Sequence, residues 1–360
     1  MPAPPPPSPR GEVALFAAVP ALAGAVPWVR LGDWPTPVEP IAGVLGGWVK
    51  REDDTAAAYG GNKVRTLEAM FGRARAAGAT RIWATGAFGS NHVVATLVHA
   101  RAAGLDAGAI LFPQPPGEPA YANAEAIVAC GPALVTLPSV ALLPLAMAAR
   151  RREPGAYVMP PGGATPEGTL GAMSAAFELA AQHAAGAAPW PRTLVVPVGS
   201  GCTTAGLLAG LHLAHHLGRA PAPPTLVAAR VTPWPISSRW RLAHLAARAL
   251  ALVDGLRGEV SGIAEATLRS TLEVDGRFLG RGYGHVTAAG EAAAAVLATA
   301  GLAVDPVYAA KAAAAFLDRA RGDGGPWLLW LTKSSTGMPR ASSAQLAAAP
   351  RAITRWLGRA

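Results

Sequence analysis

Cysteine is scarce in this chain. Cys130 and Cys202 are the only two among 360 residues, and no CxxC or clustered His/Cys spacing surrounds either. Neither a disulfide framework nor a metal site is therefore indicated. Charge is also scarce: charged residues make up 15% of the chain against 51% hydrophobic ones. That balance excludes a disordered protein. Among 31 basic residues only Lys50, Lys63, Lys311 and Lys333 are lysines. Long uninterrupted apolar runs are missing too. The run from Val13 to Val29 is broken by Pro20 and Pro27, follows Glu12 and lacks a signal-peptide layout. No other stretch has the length of an apolar membrane span. The expectation is a soluble, cytoplasmic protein with no membrane segment.

What is present is a net charge of +9, spread thinly. The arginines are scattered, with one small knot at Arg150, Arg151 and Arg152 and no aromatic-interleaved stripe. Solvated faces explain this better than a nucleic-acid surface, so no nucleic-acid partner is expected. A mild positive field still favours small anionic ligands. The N-terminal MPAPPPPSPR is proline-rich, and residues 1–14 read as a disordered tail.

The rest of the chain alternates short β-type runs with longer helical segments. Arg81–Thr85, Ala107–Phe112, Thr193–Val198 and Trp327–Leu331 read as strands; Asn91–Ala103 and Ala205–Leu217 read as helices. Continuous apolar strands between helices predict an α/β fold with parallel-rich sheets flanked by helices. Loop-to-helix and Pro/Gly-rich crossings near Lys63–Thr66 and Met159–Thr165 suggest two units: a small domain over 66–160, inserted into a larger one made of 15–65 and 161–360.

Four segments carry candidate chemistry. In YGGNKVRTLE (Tyr59–Glu68) two glycines allow a sharp turn and set Lys63 at the mouth of a helix. The helix N-terminus disfavours an ammonium, and a lysine of lowered pKa suits carbonyl chemistry. In TGAFGSNH (Thr85–His92) Ser90 is an N-cap, and the next free N–H groups form an anion site to which Asn91 adds a donor. His92 is the histidine with the best functional case, because it adjoins both. VGSGCTTAG (Val198–Gly206) follows a strand and opens a helix. Gly199, Ser200, Gly201, Cys202, Thr203 and Thr204 make a cradle for one phosphate. It lacks the P-loop lysine, and Thr204 stands where a dinucleotide fingerprint needs its third glycine. In GRGYGH (Gly280–His285) Tyr283 is a mobile-looking aromatic hydroxyl. The segment Asp305–Tyr308 reads only as a helix start with an N-cap. Each segment alone also has an ordinary structural reading as a cap, turn or packed loop.

Taken together the segments resemble the 1-aminocyclopropane-1-carboxylate deaminase/D-cysteine desulfhydrase family. LGDWPTPVEP, VKREDD, GGNKVRTLE, GSNH, PPGGATPEGTLG, VGSGCTTAGL, GYG and DPVYAAKA occur in family order from about residue 15 to residue 340. The resemblance implies a two-domain, tryptophan-synthase-β-like fold (fold type II) with pyridoxal 5'-phosphate in the cleft. It implies Lys63 as the Schiff-base lysine and the VGSGCTTAG turn as the phosphate loop. Ser90 and Asn91 match residues that meet the substrate carboxylate, Asn91 also lying near the ring hydroxyl, with His92 beside them. Tyr283 matches a tyrosine beside the substrate, which makes Lys63, Ser90 and Tyr283 the candidate catalytic set. A homodimer is implied as well.

The implied activity is that of a lyase or deaminase on a small amino acid, giving an α-keto acid and ammonia. Gly282 stands where true cyclopropane deaminases are expected to carry an acidic residue, and Ser-Asn-His is the desulfhydrase-side form. Both favour β-elimination of the D-cysteine desulfhydrase type over cyclopropane deaminase activity, with L-cysteate lyase activity as a further alternative. A non-catalytic cofactor-binding member is the reading from another class. Departures from the family pattern are Thr66 in place of a second lysine, Cys202 in place of a glycine, and Phe88-Gly89 in place of Ile-Gln. The late His-Thr-Gly-Gly element appears only as LTKSSTG (Leu331–Gly337), where Thr332, ahead of Ser334 and Thr336, is the hydroxyl expected to face the pyridine nitrogen.

Overall fold

The computed structural model describes residues 13–322 and 325–358. Residues 1–12 of the expected tail lie outside the described residues. Its last two belong to the fold: Val13 is buried and Ala14 opens a short helix, Ala14–Ala18, against the helix Leu170–Ala184. The apolar side chains of that N-terminal segment, Leu15 and Phe16, have a core to enter, and this outweighs the tail's composition.

Among the described residues ten strands form two sheets. They are β1 (Val38–Pro40), β2 (Gly47–Lys50), β3 (Arg81–Ala87), β4 (Asp106–Phe112), β5 (Ala133–Thr136), β6 (Ala156–Val158), β7 (Thr193–Val198), β8 (Thr225–Arg230), β9 (Leu272–Asp275) and β10 (Trp327–Trp330). The larger sheet has the order β1-β2-β10-β7-β8-β9, and the smaller one β5-β4-β3-β6. Only β1 against β2 is antiparallel. The expected parallel-rich α/β fold is what the chain adopts.

Its strands read as unbroken apolar runs because both faces are covered. On β7, Leu194, Val196 and Val198 enter one core, while Val195 enters the core on the opposite face. β10 divides likewise, with Leu328 and Trp330 on one side and Leu329 on the other. In the smaller sheet Ile82 and Ala84 face one core and Trp83 the other.

The end of the chain departs from the expected grouping of 161–360 with the larger sheet. Met338, Leu346, Ile353 and Trp356 pack with the core of the smaller sheet, and Trp356 Nε1 donates to Gln114 O at 2.9 Å. Spaced apolar residues in two short helices, Ser343–Ala348 and Arg351–Trp356, carry no label of which core they serve. No helix among the described residues is long and apolar enough to cross a membrane.

Candidate active site

A cavity of about 540 Å³ lies at the carboxyl ends of β3, β7 and β10, where α/β sheets gather their ligands. Lys63 reaches it from the start of the helix Lys63–Ala76. The preceding turn is pinned to the segment after β10. Asn62 N donates to Thr332 O at 3.0 Å, and Gly61 forms a bridge with Lys333. Gly61 has φ +97°, and a Cβ there would meet Thr332 O at 2.8 Å, so only glycine allows this approach. Burial pushes the Lys63 ammonium below the ordinary lysine range, against a smaller opposing influence of Cys202. Among the described residues Lys63 has no hydrogen-bond or ion-pair partner.

Two residues further on, Arg65 turns the other way, into a closed ionic network. It contacts Glu52 at 2.6 Å through both Nε and Nη2, and Glu178 at 2.8 and 2.7 Å. Lys50 Nζ lies 3.5 Å from Glu178 and donates to Thr36 O and Gln182 Oε1. The network ties β2 and the helix Leu170–Ala184 to the base of the Lys63 helix.

The phosphate-cradle segment follows β7. The helix begins at Cys202, not at Ala205 as the sequence reading expected, with Gly201 at φ +89° before it. Cys202, Thr203 and Thr204 therefore form the first turn, whose N–H groups have no intrahelical acceptor. Ser200 Oγ and Thr204 Oγ1 are buried with no hydrogen-bond partner. Thr203 Oγ1 accepts from Asn62 Nδ2 at 2.6 Å, which joins the cradle to the Lys63 turn. The Cys202 thiol donates to Gly163 O at 3.3 Å and lies 3.6 Å from Thr66 Oγ1, so what it leaves for a ligand is its backbone N–H. Arg241 Nη1 donates to Ser200 O at 2.8 Å, setting a cation beside the cradle from another element.

Across the cavity Ser90 caps the helix Asn91–Ala102 as expected, accepting from Val93 N at 3.4 Å. Asn91 lines the cavity beside it. His92 is buried with neither ring nitrogen paired. Burial, and then the charge of Lys63, lower its pKa to about 3, so it is neutral at physiological pH. Its ring lies toward Lys63 and Gly163.

Tyr283 Oη and Tyr308 Oη are 2.7 Å apart, and both residues line the cavity. The loop of Tyr283 looked mobile in the sequence, but Lys311 Nζ holds it by donating to Leu279 O and Gly282 O at 2.9 and 3.2 Å. Asp305 accepts from the backbone N–H of Val307, Tyr308 and Ala309. That is the expected cap, but it also presents Tyr308, which sequence reasoning did not place in a site. Of the late hydroxyls, Ser334 Oγ accepts from Gly60 N and Thr336 N. Thr332 lines the cavity with no side-chain partner among the described residues.

Sequence reasoning also missed Lys333. It lines the cavity, and its Nζ donates to Asn91 Oδ1 at 2.8 Å, Asn123 Oδ1 at 3.0 Å and Tyr59 Oη at 3.3 Å. The signal was available, since the scarcity of lysine that drew attention to Lys63 applies equally to Lys333.

The geometry fits a phosphorylated carbonyl cofactor. Two orphaned buried hydroxyls and a helix N-terminus await an anion, and one unpaired lysine awaits a carbonyl. The comparisons agree. Residues 29–332 match the family described as pyridoxal-phosphate dependent enzyme. Nocardicin C-9' epimerase of Nocardia uniformis subsp. tsuyamanensis is 38% identical over 53% of this chain and 61% of its own length. The chain thus spans about six-tenths of that relative. D-cysteine desulfhydrase of Salmonella paratyphi C is 31% identical over 81% of this chain and 88% of its own. A solved structure described as the ACC deaminase homologue superposes with a TM-score of 0.72 at 28% identity, covering 90% of this chain and 95% of that one.

Proposed function

This chain belongs to the pyridoxal-phosphate-dependent enzyme family, and from that premise we propose that it is a lyase of the D-cysteine desulfhydrase type. The reaction is β-elimination from a small amino acid, releasing the β-substituent, an α-keto acid and ammonia. The observation that carries the reading is a single cavity lined by the unpaired Lys63, the orphaned hydroxyls of Ser200 and Thr204, and the donors Ser90 and Asn91.

Lys63 would hold the cofactor. Backbone N–H groups from Gly199 to Thr204, with the Ser200 and Thr204 hydroxyls, would hold its phosphate, and Asn91 and Thr332 would meet the ring. When bound, the cofactor supplies an electron sink for the pair left on the substrate's α-carbon. The rest falls to the protein. Ser90 and Asn91 receive the substrate carboxylate, with neutral His92 beside them. Burial lowers the pKa of free Lys63 Nζ, which suits it to act as the base for the α-proton. The Tyr283–Tyr308 pair is suited to pass a proton to the departing β-substituent. Both hydroxyls are held neutral, since burial raises their pKa values.

The test is the visible spectrum of the protein with pyridoxal phosphate, before and after D-cysteine, with sulfide and ammonia assayed. A band that forms and shifts, with sulfide released, is the expected result; a band that never responds to D-cysteine overturns the assignment. Ser90→Ala and Asn91→Ala are expected to weaken substrate binding more than cofactor binding. A homodimer belongs to the same proposal, and light scattering at twice 36.5 kDa checks it.

A second reading is epimerisation at the α-carbon, favoured by the 38% identity to an epimerase. It shares the proton abstraction and omits the leaving group. Solvent deuterium entering the α-position with no ammonia released would select it.

A further inference from the structure

Three lysine or arginine side chains line the cavity, with different neighbours. Lys63 has no hydrogen-bond partner among the described residues, Arg241 adjoins Ser200 of the cradle, and Lys333 lies against Asn91. The partners of Lys333 are all neutral: two amide oxygens, the Tyr59 hydroxyl and, more weakly, Met338 Sδ at 3.7 Å. No ion pair involves Lys333 among the described residues. Burial disfavours its charged form, the more distant charge of Asp305 opposes that, and the Asp305 oxygens are themselves engaged by backbone N–H groups. A largely buried ammonium with no carboxylate in contact becomes more favourable when an anion arrives beside it.

The same contacts fix the Asn91 amide. An ammonium only donates, so the atom facing Lys333 must be Asn91 Oδ1. That oxygen also accepts from Asn123 Nδ2 at 2.8 Å, while Asn123 Nδ2 donates further to Gly89 O at 2.9 Å. Asn91 Nδ2 is left with no acceptor among the described residues, at the wall of the cavity.

We propose that Lys333 is a positioning residue of the substrate-carboxylate subsite: it holds the Asn91 amide with its N–H donors toward the ligand and supplies the positive charge that the carboxylate completes. The inference rests on the functional reading above and deepens it. Substrates are selected for a free carboxylate, and carboxamide or ester analogues of the same amino acid are rejected. The neutral donors Ser90 and Asn91 alone would discriminate between these far less, because both forms accept hydrogen bonds.

The experiment titrates pyridoxal-phosphate-loaded wild type, Lys333→Met and Lys333→Gln with alanine and with alaninamide, both enantiomers of each. Binding is read from the visible absorbance change and, independently of the chromophore, from the thermal shift. Lys333→Met is expected to weaken alanine by roughly tenfold or more and alaninamide by less than about twofold. Lys333→Gln, which still donates to Asn91 without the charge, falls between, and it carries the comparison if the Met variant fails to fold. Cofactor affinity stays within about twofold in both variants, on the same reasoning that the charge serves the carboxylate end. Equal losses for alanine and alaninamide, no loss for either, or a parallel loss of cofactor overturns the role of Lys333 while leaving the functional reading intact. A wild type that takes up no cofactor, or whose spectrum ignores alanine in both forms, overturns the functional reading and this inference with it.

Discussion

Lys63 and Arg65 are two residues apart on one helix, both set among protein atoms, and they enter opposite kinds of surroundings. Arg65 makes four charge-assisted hydrogen bonds to Glu52 and Glu178 and stacks on Trp34 with 3.7 Å to the ring centroid. Lys63 has no partner, and near it the ring nitrogens of His92 and the hydroxyls of Ser200 and Thr204 are unpaired as well. A saturated buried cluster holds structure together; an unsaturated one is incomplete without a ligand. Polarity and burial alone would have ranked the two clusters alike, whereas the state of their hydrogen bonds separates them.

The comparison can be broken most directly at Lys63. Lys63→Ala is expected to lower turnover about 1,000-fold or more while leaving the fold of the apo-protein unharmed, which kinetics and circular dichroism would check. An active Lys63→Ala protein would mean that the unsaturated cluster is not the reaction centre. On the other side, Arg65→Met takes the guanidinium from two buried carboxylates and should destabilise the protein by about 3–5 kcal/mol in urea titrations, with or without cofactor. Loss of activity without loss of stability there would put Arg65 in the site.

A smaller effect is expected in the cradle. Ser200→Ala or Thr204→Val should weaken cofactor binding roughly tenfold each, yet leave apo stability unchanged or raised, since each removes a hydroxyl that has no partner until the phosphate arrives. A pH-dependent effect concerns Glu68, a third buried polar case. It accepts from Leu31 N, Gly32 N, Trp34 Nε1 and Trp28 Nε1. Burial outweighs those bonds and raises its pKa from 4.5 to about 7. The folded state then binds a proton that the unfolded state has released. The contribution of Glu68 is present in full below about 4.5 and lost as pH rises through about 7. Relative to Glu68→Gln, wild-type stability should decline across that window; a flat difference would mean that Glu68 is ionised throughout.

Much of this was legible in the chain. Strands such as β7 declared themselves because a sheet covered on both faces demands unbroken apolar runs, and Lys63, Ser90 and the Gly199–Thr204 turn sit where a loop gives way to a helix. Tyr308 and Asn123 were not legible, and Lys333 carried only the signal of lysine scarcity. None opens a helix after a strand, and each acts only through a neighbour distant in sequence. Thr66 stands in place of a second lysine; in the fold it lies against Cys202, and Arg241, from a helix far along the chain, sets a cation against the cradle.

Composition and periodicity by themselves determined the α/β class, and the order of short motifs carried the family resemblance that points to Lys63, because both rest on residues close in sequence. Tertiary structure alone decided which buried polar groups find partners, that the C-terminal helices join the smaller core, and that a second lysine stands over Asn91. The physical reason is that hydrogen-bond saturation belongs to a set of atoms brought together in space, and no single segment of the chain contains that set.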